Sequence, residues 1–125
     1  MPVLEGDWAP ASGFASASSM LDDPRFAAIS AIFCANDQMA LGVLAAPARR
    51  AVAVPTAINV IGMDDIAEAE FMFPSLSTVP MNFDVQGHFA FESLLARIEG
   101  REMEAKTDCL HTEVIRRAST GALQS

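Results

Sequence analysis

Lysine is almost missing from this 125-residue chain: Lys106 is the single one, and eight Lys and Arg together face sixteen Asp and Glu, for a net charge of −8. Nucleic-acid affinity is built on clustered cations that neutralise phosphates, so the chain by itself is a poor DNA or RNA binder. Arg49-Arg50 and Arg116-Arg117 are pairs, not patches. No apolar run approaches the roughly 20 residues that span a bilayer, and no basic start followed by an apolar core marks a signal peptide. The expected address is therefore the cytoplasm, with no membrane partner. Cysteine is scarce too. Cys34 and Cys109 stand far apart, with no C-x-x-C and no histidine at ligand spacing, which argues against a zinc site or a disulfide framework and leaves both as structural thiols. Ser12-Gly13 lacks the G-x-S-x-G elbow, and neither His88 nor His111 is spaced to a nucleophile. Acyl-transfer chemistry has no support, and nothing points to an enzyme. No repeat or low-complexity tract is present. What remains is apolar enough, at 51% against 19% charged, to fold around a buried core as one domain.

Three apolar segments end abruptly in acid or amide residues: "PVLEGD" at 2–7, "SAIFCAND" at 30–37 and "INVIGMDD" at 58–65. Each reads as a strand emptying into a loop, with helical segments over 12–21 and 37 to about 50 between them. Strands alternating with helices predict a parallel sheet with crossover helices. The continuous apolarity of "AIFCA" and "INVIG" suits strands covered on both faces. Pro47 removes a backbone donor and crowds the preceding turn, so the second helix is expected to end or kink near Ala46. A long connection follows Asp65, then "TVPM" as a short extended piece and a helix over 83–99. That helix stacks Phe91, Leu94, Leu95 and Ile98 on one face, with Gly100 as its stop. "CLHTEVIRR" at 109–117 reads as a last strand before a polar tail.

In open parallel sheets ligands sit outside the carboxyl ends of the strands. Asp7, Trp8, Asn36, Asp37, Asp64 and Asp65 all fall there. Asn36 is also an N-cap candidate, with Asp37 favoured at the positive end of the helix dipole. Capping explains one polar residue, not the trio Asn-Asp-Gln. Trp8, the sole tryptophan, could be core filler; beside Asp and Asn side chains it is also the aromatic plate that a sugar ring needs. Asp64-Asp65, with Glu68 and Glu70, could hold a divalent cation, but the Asp-rich loop with its turn glycine and closing Glu is missing, so solvated carboxylates are the better reading and no metal is expected. A response-regulator receiver domain has similar length and doubly wound architecture. Its acidic pair follows the first strand, however, and here the pair follows the third, which disfavours phosphotransfer.

"EGDWAPASGF", "AIFCANDQMALGVL", "INVIGMDDIAEAEFMFPSLSTV" and "FESLLARIEG" occur in the order and spacing of the effector domain of lactose-repressor-type (LacI/GalR) transcriptional regulators, which the chain resembles over nearly its whole length. The resemblance implies an α/β fold of the type I periplasmic-binding-protein-like kind, a parallel-sheet three-layer lobe that is one of two. Residues 1–125 would be the C-terminal lobe and tail of a sensor. The helix over 83–99 would pack on a first lobe, and DNA would be reached only through a headpiece that this chain does not contain.

Carried over by motif, Trp8 would face a sugar, and Asn36 and Asp64 would hydrogen-bond its hydroxyls. Asp37 and Met81 are further residues that could face ligand, and Asp65 would bond back into its loop. The helix opening at Asp37 and the loop through Phe71 and Phe73 would serve a homodimer. The implied role is effector sensing without cofactor or catalysis; the alternative is half of a transport-type sugar-binding protein. Three positions depart from the family pattern. Pro47 interrupts the helix, Ala51 replaces the usual C-terminal glycine, and Met81 replaces a polar residue.

Overall fold

The computed structural model describes residues 2–102 and 112–121. Met1–Pro80 with Val114–Ser125 form one unit, and Met81–Glu113 a second. In the first unit the order is α1 (Pro10–Asp22), β1 (Ala31–Phe33), α2 (Asp37–Arg49), β2 (Asn59–Asp64) and β3 (Ser77–Pro80). The strands form one parallel sheet in the order β1-β2-β3, with Phe33 opposite Ile61 and Asp64 opposite Pro80. This is the crossover architecture that the alternation of patterns predicts.

Local chemistry sets the helix limits. Pro10 occupies the first turn of α1, where its missing N–H is no loss. Asn36 caps α2, its side-chain oxygen accepting from the Met39 amide at 2.8 Å. Contrary to expectation, α2 runs through Pro47 to Arg49. The proline lies in the last turn, where the one bond it deletes leaves the rest of the ladder intact, and its carbonyl accepts from the amides of Arg50 and Val52. Ala51 then turns into the left-handed region at φ +53°.

The two helices approach closely at glycines. A Cβ on Gly13 would strike the Met39 carbonyl, and one on Gly42 the Pro10 carbonyl. Beneath them Ala17, Ala40, Val43, Leu44, Val60, Met72 and Leu76 form the buried core with Cys34. Burial pushes the Cys34 thiol up to about 12, with the charge of Asp37 adding to it.

Two expectations need correction. Residues 2–7 form no strand; Val3 and Leu4 are exposed. β1 is consequently the sheet edge among the described residues, and it is not covered on both faces, because Phe33 is 56% exposed. The final strand expected at 109–117 begins outside the described residues, as do Cys109 and His111. Its described part makes one antiparallel bridge, Ile115 to Thr78. The chain beyond it instead locks β2 to β3. The Ser119 hydroxyl donates to the Val60 carbonyl at 2.7 Å and accepts from the Ser77 amide at 2.8 Å. Its backbone joins Ser75 and Val60 as well.

The second unit contains α3 (Phe83–Ile98), capped by the Asn82 side chain accepting from the Val85 amide at 3.2 Å. Phe91, Leu94 and Ile98 on its apolar face are exposed. No helix among the described residues is long and apolar enough to cross a membrane.

Candidate functional site

The chain entering α1 makes a tight turn around Trp8. The Asp7 amide donates to the Ser12 hydroxyl and the Ala9 amide to Asp7 Oδ1, both at 3.1 Å, an arrangement in which Asp side chains stand in for a backbone turn. Trp8 itself has φ +70°. Its carbonyl accepts from Asn36 Nδ2 at 3.0 Å. The backbone of Trp8 is thus pinned to the N-cap of α2 while its ring, 65% exposed, projects from the surface. It is not core filler. Asn36, only 9% exposed, uses its oxygen on the helix and its amide on Trp8.

Asp64 ends β2 with φ +115°, and Asp65 follows at +56°. Left-handed backbone at two consecutive non-glycine residues is held only where neighbours fix it, at roughly 1–3 kcal/mol per residue. The Asp64 carboxyl titrates above its usual range, first because burial desolvates it and then because the charge of Asp37 adjoins it. Asp65 is structural, but its carboxylate reaches the C-terminal segment instead of its own loop. Its Oδ1 meets the Arg117 guanidinium at 2.9 Å, and the other arm of Arg117 donates to the Leu76 carbonyl at 2.8 Å.

Asp37 is placed differently from the expectation that it faces ligand. It is fully buried. One carboxylate oxygen accepts from the Thr78 hydroxyl at 2.7 Å and the other from the Ile66 amide at 3.1 Å. Both oxygens are engaged inside the protein, between the start of α2, β3 and the turn after β2. Met81 falls in the second unit. The structure therefore draws Trp8 and Asn36 together by a direct bond and sets Asp64 beside Asp37, the next residue on the α2 terminus.

Sequence reasoning missed three residues that build this frame: Asp37 as an internal clasp, Arg117 as the anchor of Asp65, and Ser119 as the lock between strands. Only Asp37 left a trace in the sequence, as an acid directly behind a buried strand and an N-cap. No group of three His, Cys, Asp or Glu side chains among the described residues could hold a metal ion.

A cavity of about 390 Å³ lies beside β1, with Val3, Leu4, Met20, Phe33, Cys34 and Val43 among its lining. It is apolar, and of the candidate site residues only Trp8 borders it. Farther along the chain, Phe71 and Phe73 are 82% and 96% exposed in and just after the 3-10 turn Ala67–Phe71.

Comparison with known proteins agrees with this frame. The profile of the periplasmic binding protein-like domain matches residues 2–120. The HTH-type transcriptional repressor PurR of Proteus mirabilis is 32% identical over 117 residues, covering 94% of this chain and 34% of that protein. Among solved structures, the Escherichia coli transcriptional repressor ascG superposes with a TM-score of 0.77 at 34% identity, over 95% of this chain and 42% of the other. The lac repressor dimer bound to operator and the anti-inducer ONPF gives a TM-score of 0.79 at 30% identity, over 94% and 40%. The chain spans about a third of the length of the curated relatives it matches.

Proposed function

The chain belongs to the periplasmic binding protein-like family, in its branch of LacI-type transcriptional regulators, and from that premise we propose that it is the effector-sensing and dimerising part of such a regulator. The effector is a small polyhydroxylated molecule, a sugar or a close relative. Its apolar ring face rests on Trp8, and its hydroxyls bond Asp64 and the remaining hydrogen-bonding capacity of Asn36. The observation that carries this reading is the Asn36–Trp8 bond at 3.0 Å, which ties the backbone carrying the exposed Trp8 ring to the amide that caps α2. Polar discrimination follows, because a missing hydroxyl leaves a half-buried partner unpaired at roughly 1–3 kcal/mol.

In this reading the protein performs no catalysis and acts in the cytoplasm. It pairs with a second copy through the α2 terminus and the exposed Phe71–Phe73 segment, and it meets DNA only through a headpiece outside residues 1–125. The relatives named above are repressors, which favours a regulator over a transport-type binding protein.

Trp8, the only tryptophan, makes the test direct. Residues 1–125 supply one wall of the cleft, so binding is expected at about millimolar concentration. A panel of mono- and disaccharides is titrated while Trp8 emission is followed. One class should give a saturable shift that Asp64→Ala abolishes. Emission unmoved by the whole panel, or a shift that survives Asp64→Ala unchanged, refutes the assignment.

A further inference from the structure

We infer that Asp37 positions the Asp64 carboxylate at the strand-end surface, by holding the turn behind it through the Thr78 hydroxyl and the Ile66 amide. This rests on the reading of Asp64 as a ligand contact and adds the residue that would aim it. Asp37 opens α2 and is fully buried. Its carboxylate faces two neutral donors, Thr78 Oγ1 at 2.7 Å and Ile66 N at 3.1 Å, with the amino end of its own helix favouring its charge. The Thr78 oxygen in turn accepts from the Asp65 amide at 3.3 Å. Both amides that follow Asp64, at residues 65 and 66, are thus tied to Asp37, one directly and one through a single hydroxyl.

Room for this clasp exists because residue 62 is glycine: a Cβ there would collide with the Asp37 carboxylate. The left-handed backbone at Asp64 and Asp65 is a conformation that persists only when surrounding bonds over-determine it. The Asp37–Thr78 pair on one side and Arg117 on Asp65 on the other supply those bonds. Asp37 also belongs to the same two-residue step as Asn36, so the aromatic plate, the amide and the acid stand on one frame.

The test is Asp37→Asn in the whole chain, read by amide hydrogen exchange and by the carboxyl carbon shift of Asp64 against pH. An amide at 37 offers one acceptor to two donors. The Asp65 and Ile66 amides should exchange about tenfold faster, while Val60 and Ile61 in β2 keep their protection. The Asp64 midpoint should fall, both because a loosened turn returns the carboxyl to water and because the neighbouring charge disappears. Thr78→Val serves where Asp37→Asn does not fold: it removes the hydroxyl bridge, so the Asp65 amide should exchange faster while the Asp64 midpoint falls less. Unaltered Asp65 and Ile66 exchange in the variant that folds, or an Asp64 midpoint unmoved by Asp37→Asn, overturns the inference. None of these readouts needs a ligand. A blank sugar panel beside a loosened turn therefore counts against the binding reading and leaves the positioning role standing.

Discussion

Replacing Ala51 with glycine should stabilise the protein. Ala51 sits just past α2 at φ +53°, and two bonds close the helix around it: Val52 N to Pro47 O at 2.9 Å and Ala51 N to Ala48 O at 3.4 Å. This 6→1 and 5→2 pair is the Schellman arrangement, whose left-handed residue is usually glycine. An L side chain there costs roughly 1–2 kcal/mol through the clash of Cβ with the following carbonyl. The Ala51 side chain is exposed, so removing its methyl forfeits no packing. Against the gain stands the extra freedom glycine gives the unfolded chain, about 0.4–1 kcal/mol. The net expectation is a stabilisation of about 0.5–1 kcal/mol, or a thermal midpoint raised by about 2–5 °C. Urea unfolding followed at 222 nm measures it, with Ala48→Gly as the control. Ala48 lies within the helix at ordinary helical backbone, and glycine there should destabilise by about 1 kcal/mol. Opposite signs for the same substitution three residues apart would confirm that backbone handedness decides. A loss of stability in Ala51→Gly, or the same sign in both, refutes the reasoning.

Gly42→Ala should destabilise by about 1–3 kcal/mol despite alanine's better helix propensity, because the new methyl meets backbone of Pro10 rather than a side chain that can swing away; chemical denaturation reads the loss, and a stabilised variant would show that α1 and α2 are not so close. Cys34, with its thiol raised to about 12 and buried under α2, should resist alkylation at pH 8 in the native protein and react in urea. Peptide mapping of the labelled site checks this, and native-state labelling of Cys34 would contradict the core assignment. Asp64 carries a pH signature. Its carboxyl is raised in the folded state, so the folded form holds the proton more tightly than the unfolded chain does. Its contribution is fully present below the unfolded value and is lost as pH rises through the folded one. Asp64→Asn should therefore remove a downward slope of stability with pH just above the ordinary carboxylate range, measured by denaturation midpoints from pH 3 to 7; an unchanged slope would count against the partly buried, charge-crowded setting of Asp64.

The sequence by itself determined the order of elements. Apolar runs ending in Asn-Asp or Asp-Asp mark β1 and β2, Asn36 marks the start of α2, and the four-residue spacing of Phe91 and Leu95 marks α3. These are local properties, written in side-chain size, capping chemistry and period. Residues 2–7 carry the same local pattern and form no strand, because a strand exists only with a neighbour some 4.8 Å away, and Val3 and Leu4 border a cavity beside β1 instead of a ladder. The helix end shows the same division. Pro47 forbids one bond, but whether a helix stops there depends on the carbonyls and amides that gather around it. Of the candidate residues, Asn36 and Asp64 stand where β1 and β2 empty, as the sequence pattern places them, whereas Trp8 follows no strand and is reached through a turn. Their roles were not legible, since burial decides what a polar group can still do. Asn36 and Asp37 are neighbours with similar side chains, yet one reaches the Trp8 turn and the other is enclosed between Thr78 and Ile66, at contacts 41 and 29 residues away in the chain. Partners at that separation are set by the packing of α2 on the sheet, and only the tertiary structure assigns them.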